Sequence, residues 1–357
     1  MTDLHPLTDY DALLVLSFGG PEGNDEVVPF LENVTRGRGI PRERLEEVGE
    51  HYFNFDGVSP INAQNRTLIA NIEQALAHRE IDLPVYFGNR NWHPFGEDTA
   101  ELIARDGHRK VLVLATSAWG GYSACRQYDE DIKRIREHLA DKGLPEIHFT
   151  KIRQFFSHPA FIADTAAAIK EAYSKVPEDR RENMRMLFTA HSVPNRHDDV
   201  GGADGDKNLY SRQVAEAARL AAAEAGIDDY DLVWQSRSGD PRVPWLEPDI
   251  VDHTEFLADN RDIKAVVVCA IGFITDHMEV MWDLDTELVE AAQEKDVHVE
   301  RARTSGLTTK FAEMVVDIAA ESAAGEIVAK LGDVTVQGNT VNGQPCAAGC
   351  CDIWTKN

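Results

Sequence analysis

Short apolar segments rich in β-branched residues alternate with longer segments of helical periodicity along most of this chain. Both faces of the short segments are apolar, which is typical of parallel strands covered by helices on each side of a sheet. The candidate strands are residues 12–18, 85–88, 110–116, 147–152, 184–189, 232–235 and 263–270, and the candidate helices include residues 62–78, 160–174, 211–225, 278–292 and 308–331. This alternation predicts an α/β fold built on parallel sheets.

The order of strands and helices repeats roughly twice, with a break near residues 155–159. A chain of 357 residues is long enough for two domains that each have a core. We therefore predict two Rossmann-like domains, 8–156 and 157–331, whose parallel sheets face a central cleft, and a cysteine-bearing extension at 332–357. Ligands of open α/β sheets bind beyond the carboxyl ends of the strands, so side chains that follow strands directly are the candidates for a functional site.

The charge of the chain excludes several kinds of partner. It carries 61 acidic and 36 basic residues, a formal net charge of −25. Such a surface repels phosphate backbones and anionic lipids, so we expect neither nucleic-acid binding nor membrane adhesion.

No apolar stretch approaches the roughly 18 residues that a spanning helix needs, and the first apolar run has no basic leader before it. We expect a cytoplasmic protein without an integral membrane segment, and nothing in the sequence demands more than a monomer.

Two motifs carry candidate catalytic side chains. His191, in TAHSVP, follows the candidate strand 184–189, a position suited to a proton acceptor or a metal ligand. Glu279, Asp283 and Glu287 are spaced i, i+4, i+8, which lines three carboxylates along one helical face. Such a row of oxygen ligands could lead a divalent cation toward a histidine. The alternatives are a histidine that only hydrogen-bonds a loop and a solvated acidic face on a very acidic protein.

The cysteines are clustered near the end of the chain. Cys346, Cys350 and Cys351 lie in PCAAGCC, a spacing that differs from the C-x₂-C pairs of ordinary zinc sites. Three thiolates need one more to complete a Cys₄ site for a [2Fe–2S] cluster, and Cys125 is the best candidate. Cys269, inside an apolar strand, is interpreted as a core thiol. The alternative is a disordered tail with reactive thiols.

Arginines in loops are candidates to hold anionic groups on an otherwise repulsive surface. A guanidinium pairs with a carboxylate through two hydrogen bonds. The candidates are Arg36, Arg38, Arg90 and Arg126, and the alternative for each is a solvated loop arginine. No G-x-G-x-x-G pattern or P-loop lysine follows the first strand, which disfavours a nucleotide-binding enzyme.

Six motifs together resemble the ferrochelatases, in the family's order and across nearly the whole chain. They are LSFGGP, DGVSPIN, FGNRNWHP, TAHSVP, WQSRSGDPRVPWLEP and GFITDHMEVMWDLDTE. The cysteine tail resembles that of actinobacterial members that carry a [2Fe–2S] cluster and look like coproporphyrin ferrochelatases. The resemblance implies a chelatase-like fold and a lyase of haem biosynthesis. Its substrates would be Fe²⁺ and coproporphyrin III, and its product coproheme.

The resemblance also implies roles for particular residues. The catalytic and metal-contacting residues would be His191 and Glu279, the porphyrin-binding residues Ser59 and Tyr128, and the cluster ligands Cys125, Cys346, Cys350 and Cys351. Phe18 departs from the tyrosine that some monomeric bacterial members place there as an axial contact. Tyr122 or Tyr128 is therefore an alternative contact to the macrocycle.

Porphyrin metallation removes two pyrrole N–H protons and brings Fe²⁺ to four nitrogens held in a rigid ring. We expect the cleft to bend the macrocycle, with His191 and Glu279 on one face of it. The sequence does not divide the roles of proton acceptor and metal ligand between them. Three alternatives stay open: a protoporphyrin IX ferrochelatase, a chelatase for cobalt or nickel, and a non-catalytic haem- or iron-sensing binding protein.

Overall fold

The computed structural model describes residues 6–37, 39–203 and 205–354. Its strands are β1 (Ala12–Ser17), β2 (Val85–Asn89), β3 (Lys110–Ala115), β4 (His148–Lys151), β5 (Met184–His191), β6 (Tyr230–Gln235), β7 (Ala265–Cys269), β8 (His298–Ala302) and β9 (Thr340–Val341). Its helices are α1 (Asn24–Val34), α2 (Arg42–Phe53), α3 (Ile61–His78), α4 (Gly96–Arg105), α5 (Gln127–Asp141), α6 (Pro159–Lys175), α7 (Asn195–Asp199), α8 (Leu209–Ala225), α9 (Ile250–Arg261), α10 (Met278–Trp282), α11 (Leu288–Glu294) and α12 (Thr309–Ala324). Short 3₁₀ turns lie at Pro6–Asp9 and Glu178–Asn183, and π-helical turns at Tyr122–Arg126 and Asp283–Glu287.

The strands form two sheets that follow one another along the chain. The first has the order β2-β1-β3-β4-β9, in which β1 to β4 are parallel and β9 pairs antiparallel with β4. The second has the order β6-β5-β7-β8 and is wholly parallel. The predicted α/β fold with two parallel-sheet domains is therefore confirmed. The exact boundaries at 8–156, 157–331 and 332–357 stay predictions.

The two sheets share one large apolar core. Strands β1 and β7 are buried along their whole length, as parallel strands covered by helices on both faces must be. The largest core cluster contains Leu13 of β1, Phe188 of β5 and Phe311 of α12. Helix α12 packs against α3 of the first half of the chain and against α6 of the second. Helix α12 thereby holds the two halves together.

Two predicted helices differ from the structure. The helix predicted at residues 278–292 is divided into α10, a π-helical turn and α11, because the turn inserts an extra residue into the helical repeat. The helix predicted at residues 308–331 ends at Ala324. Gly325 takes a left-handed backbone there, with φ +72°, and its N–H bonds the last turn, which terminates the helix.

The neighbouring strands β5 and β7 bring two segments together at their carboxyl ends. Phe188 of β5 is paired with Cys269 of β7, so His191 and the loop after β7 leave the sheet side by side. Within residues 6–37, 39–203 and 205–354, no helix is long and apolar enough to cross a membrane.

Candidate active site

His191 is the last residue of β5, the strand between β6 and β7. The hydroxyl of Tyr210 donates to its backbone carbonyl at 2.9 Å. Its ring Nδ1 lies 2.5 Å from the carbonyl oxygen of Ser192, which can only accept a hydrogen bond. Nδ1 therefore carries the ring proton, and Nε2 of the neutral imidazole keeps its lone pair free for a proton or a metal ion.

Glu279 lies in the first turn of α10, next to His191. Its Oε2 is 3.6 Å from His191 Nε2, and both side chains are open to solvent, at 54% and 34% exposure. This separation is too long for a hydrogen bond. It suits two ligands of one ion, because metal–nitrogen and metal–oxygen bonds of about 2.0–2.2 Å span up to about 4 Å. The structure thus brings together the two residues that the sequence predicts as catalytic.

Two further side chains, His277 and Tyr52, interact electrostatically with this pair, and the sequence reasoning assigned neither of them a role in the site. Burial lowers the pKa of His277, which Glu279 opposes and His191 reinforces. Burial also raises the pKa of Tyr52, and the charge of Glu279 raises it further. His51 stacks on Trp282 with ring centroids 4.0 Å apart. Helix α2 therefore lies against α10 beside the catalytic pair, a contact that no sequence pattern indicates.

The acidic row is anchored at its centre. Asp283 accepts hydrogen bonds from Ser236 Oγ and, at 3.2 Å, from Gln235 Nε2. Burial raises the pKa of Asp283 to about 6, and the charges of Glu279 and Glu287 contribute in the same direction. Asp283 therefore differs from a freely solvated carboxylate, whereas Glu279 and Glu287 are exposed.

The predicted porphyrin contacts are buried to different degrees. Ser59 is 3% exposed and packs under Gly20, where an added Cβ would lie 2.7 Å from the Ser59 Cβ. Tyr128 is 5% exposed, and its hydroxyl is 3.3 Å from Thr116 Oγ1. Phe18 is 39% exposed and contacts Phe30 edge to face. Phe18 thus presents more surface than Ser59 or Tyr128.

The candidate arginines also differ in their surroundings. Arg90 pairs with Asp131 at 2.6 Å and stacks on the Tyr128 ring, and its buried Nη2 has no hydrogen-bond partner among the described residues. Arg126 lies 3.5 Å from Glu130.

Arg36 is exposed and donates to the side-chain oxygen of Asn33. Arg38 lies outside the described residues. Arg36 is therefore free of a carboxylate partner within the described part of the chain.

The sequence model of the family described as Ferrochelatase matches residues 10–323. The chain belongs to the ferrochelatase family.

Its relatives cover nearly the whole length of this ferrochelatase-family chain. A protein of Corynebacterium glutamicum (strain R) is 55% identical over 342 residues, covering 96% of this chain and 92% of its own. A protein of Nocardia farcinica is 57% identical over 343 residues, covering 96% of each chain. Both relatives are named coproporphyrin III ferrochelatase.

The likeness to solved structures concerns the fold. SirB from Bacillus subtilis, solved with Fe³⁺, superposes with a TM-score of 0.51 at 14% sequence identity. The match covers 88% of this chain and 98% of SirB. At this identity the likeness shows a shared chelatase-like fold and nothing about the residues of the site.

The structure of this ferrochelatase-family chain also gathers the cysteines of the tail. Cys350 Sγ is 3.2 Å from Cys346 Sγ and 3.6 Å from Cys351 Sγ. The side-chain oxygen of Gln337 lies 3.4 Å from Cys346 Sγ, and a Cβ added to the next residue, Gly338, would be 3.3 Å from Cys125 Sγ. Cys125 therefore adjoins the tail cysteines through residues 337–338. Cys269 lies in β7, where burial raises its pKa to about 12.

A buried lysine lies beside these thiols. Lys151 Nζ is 3.2 Å from Cys125 Sγ and 2.7 Å from Asp129 Oδ1. Burial raises the pKa of Cys125, and the charge of Lys151 opposes that rise. The neighbouring Cys350 thiol lowers the pKa of Cys346 to about 7 and that of Cys351 to about 6. Cys346 and Cys351 are thus biased toward the thiolate form that binds metals, whereas these two neighbours raise the pKa of Cys350.

The thiols are not arranged as a finished metal site. Across the part of the chain that the structure describes, no group of three or more His, Cys, Asp or Glu side chains has the arrangement that would hold a metal ion. Two thiolates on one tetrahedral ion, with bonds of about 2.3 Å, would lie roughly 3.8 Å apart. The 3.2 Å between Cys346 and Cys350 is shorter than that.

Proposed function

We propose that this chain is a coproporphyrin III ferrochelatase, a lyase that inserts Fe²⁺ into coproporphyrin III to form coproheme. The observation that carries the proposal is the 3.6 Å separation of His191 Nε2 and Glu279 Oε2, with both groups open to solvent. The family assignment supports the chemistry. The names of relatives that are 55–57% identical support the choice of porphyrin.

In this proposal His191 and Glu279 act on the same face of the porphyrin. Each turnover brings in one Fe²⁺ and releases two pyrrole protons, so the site needs groups that accept protons beside groups that bind the metal. The free lone pair of His191 Nε2 and the carboxylate of Glu279 can do both. Asp283 and Glu287 continue the row of oxygen atoms away from this pair and would pass the cation inward.

The four propionates of coproporphyrin III must be held on a chain with a net charge of −25. Arg36, which is exposed and has no carboxylate partner among the described residues, is the best placed of the candidates for this task. Ser59 and Tyr128 would contact the macrocycle from the carboxyl end of the first sheet. Their hydrogen bonds to Pro21 and Thr116, which follow β1 and β3, support that placement.

An anaerobic insertion assay with two porphyrins tests the proposal. Loss of porphyrin fluorescence on adding Fe²⁺ should be faster with coproporphyrin III than with protoporphyrin IX. A preference for protoporphyrin IX would overturn the substrate assignment. Binding of both porphyrins without insertion of Fe²⁺ would identify a binding protein instead, and faster insertion of Co²⁺ or Ni²⁺ would identify a different chelatase.

We further propose that Cys125, Cys346, Cys350 and Cys351 hold a [2Fe–2S] cluster. Support comes from their proximity, from the lowered pKa values of Cys346 and Cys351, and from the buried Lys151 cation beside Cys125. When bound, the cluster would supply a one-electron redox centre and a cross-link between the first half of the chain and the tail. Cys346 Sγ and Cys350 Sγ would have to move apart by about 0.6 Å to reach the separation that ligation requires.

The visible absorbance spectrum of anaerobically purified protein tests the cluster. Wild-type protein and a Cys269→Ser control should both show iron–sulfur absorption bands, and Cys125→Ser should lose them. Absence of these bands from wild-type protein, or their survival in Cys125→Ser, would contradict the ligand assignment.

We infer that the protein works in the cytoplasm as a monomer. All five cysteines are free thiols in the structure, which suits a reducing compartment. The acidic surface disfavours self-association of like-charged copies. Sedimentation of the purified protein should give the mass of one 39.7 kDa chain, and a mass twice that would contradict the inference.

A further inference from the structure

The loop that leads from β7 to α10 is held by a side chain from the first half of the chain. Gln64, in the first turn of α3, accepts a hydrogen bond at 2.7 Å from the backbone N–H of Asp276. Its amide nitrogen lies 3.4 Å from Asp276 Oδ2, to which it donates. This reciprocal pair joins a helix of the first half to the segment that ends, three residues later, at Glu279.

A second side chain holds the same loop from the opposite direction. Arg301 of β8 bonds both carboxylate oxygens of Asp276, at 2.9 and 3.3 Å, and reaches Asp285 Oδ1 at 2.7 Å. Asp276 precedes α10 and Asp285 follows it. Arg301 therefore fixes both ends of the short helix that carries Glu279, within the second half of the chain.

These contacts have different consequences for the geometry of the site. Arg301 ties α10 to its own sheet, on which His191 also stands, so it preserves the distance between the two catalytic groups. Gln64 ties α10 to the other half, and it lies five residues after Ser59, the proposed porphyrin contact. Gln64 is thus placed to set the distance between Glu279 and a porphyrin held by the first half.

We propose that Gln64 is a positioning residue for Fe²⁺ insertion, a role that rests on the function proposed above. It couples the segment that contacts the macrocycle to the loop that carries Glu279. A small displacement of a catalytic group lowers the reaction rate much more than it weakens substrate binding, because the reacting atoms must meet in a narrow range of geometry. Loss of this coupling would therefore impair metal insertion while leaving porphyrin binding intact.

Asn71 provides a matched control on the same helix. Its side-chain nitrogen donates at 3.0 Å to the carbonyl oxygen of Leu307, which also joins α3 to the second half. Leu307 lies just before α12 and is remote in sequence from α10. Replacing Asn71 therefore removes a bond between the halves without releasing the loop that carries Glu279.

The test compares Gln64→Met with Asn71→Leu, since each replacement keeps side-chain volume and removes the hydrogen bonds. We expect Gln64→Met to lower kcat/KM for Fe²⁺ about tenfold, the effect of about 1.4 kcal/mol, with an unchanged Kd for coproporphyrin III. Asn71→Leu should keep wild-type kinetics, and its Tm should be similar to that of Gln64→Met. Equal kinetics for the two variants, or weakened porphyrin binding in Gln64→Met, would refute the role of Gln64. Wild-type protein that inserts no Fe²⁺ would instead refute the proposed function.

Discussion

At the scale of single residues, Asp283 shows how burial changes a carboxyl group of the acidic row. Burial, together with Glu279 and Glu287, raises its pKa from 3.8 to about 6. The folded protein then binds this proton more tightly than the unfolded chain does between pH 4 and 6. The free energy of unfolding therefore falls as pH rises through this window, and the loss is complete above about pH 6.

Asp283→Asn should remove this pH dependence, because an amide stays neutral and still accepts the bond from Ser236. Between pH 4.5 and 7, wild-type protein should lose at most about 3 kcal/mol of stability relative to the variant, and less to the extent that solvent reaches the group. Urea unfolding of iron-free protein at the two pH values measures the difference. Glu290→Gln, at an exposed position on α11, is the control. A parallel pH dependence in wild type and Asp283→Asn would contradict the explanation.

The residues that the sequence identified and the ones it missed differ in a physical way. His191 and Glu279 follow strands, and the rule that ligands bind beyond strand carboxyl ends finds them without knowledge of the tertiary structure. Tyr52 and Gln64 reach the site from helices of the other half, so only tertiary packing brings them there. The importance of Lys151 could have been predicted from the sequence, because a lysine inside a buried apolar strand requires a charged partner.

At the scale of elements, the crossing of two segments behind His191 leaves no room for a side chain. A Cβ added to Gly272, in the loop after β7, would lie 2.6 Å from the Cβ of Ala190, the residue before His191. Real Cβ atoms do not approach so closely, so one segment would have to move. The loop that leads to Glu279 and the end of β5 would then separate.

Gly272→Ala should therefore reduce both stability and activity. We expect overpacking to lower the free energy of unfolding by about 1–3 kcal/mol. The rate of Fe²⁺ insertion should fall by a larger proportion. Gly23→Ala is the matched control, because its added Cβ would meet nothing within 4 Å. Thermal unfolding and the insertion rate are measured on both variants. Wild-type activity in Gly272→Ala would show that this close approach does not fix the site.

The boundaries of all seven strands that the sequence predicts lie within one or two residues of those of β1–β7, and two further strands escaped prediction. Strand β8 escaped prediction because, as an edge strand bearing His298, Glu300 and Arg301, it lacks an apolar run. Strand β9 has two residues, too few for any pattern. The π-helical turn inside the predicted helix 278–292 depends on tertiary contacts, which helical periodicity does not encode.

At the scale of the whole molecule, the candidate site is assembled by contacts between the two halves. Trp119 Nε1 of the first half donates to the carbonyl of Gly272 at 2.8 Å, close to the Gln64–Asp276 pair. The tail adds a further link, since β9 pairs with β4. In addition, the backbone N–H of Cys351 donates to the carbonyl of Gly202 in the second half, and the N–H of Gly202 donates to Cys351 Sγ. The arrangement of the halves could not be read from the sequence, because each half satisfies the same local patterns.

The central claim is that His191, beside Glu279, performs the metal insertion while other residues hold the porphyrin. The decisive measurement is Fe²⁺ insertion into coproporphyrin III by His191→Ala, with porphyrin binding followed by fluorescence on the same sample. The account predicts a rate at least about 10²-fold below that of wild-type protein, with the Kd for the porphyrin unchanged. Insertion at a rate near that of wild type would contradict it.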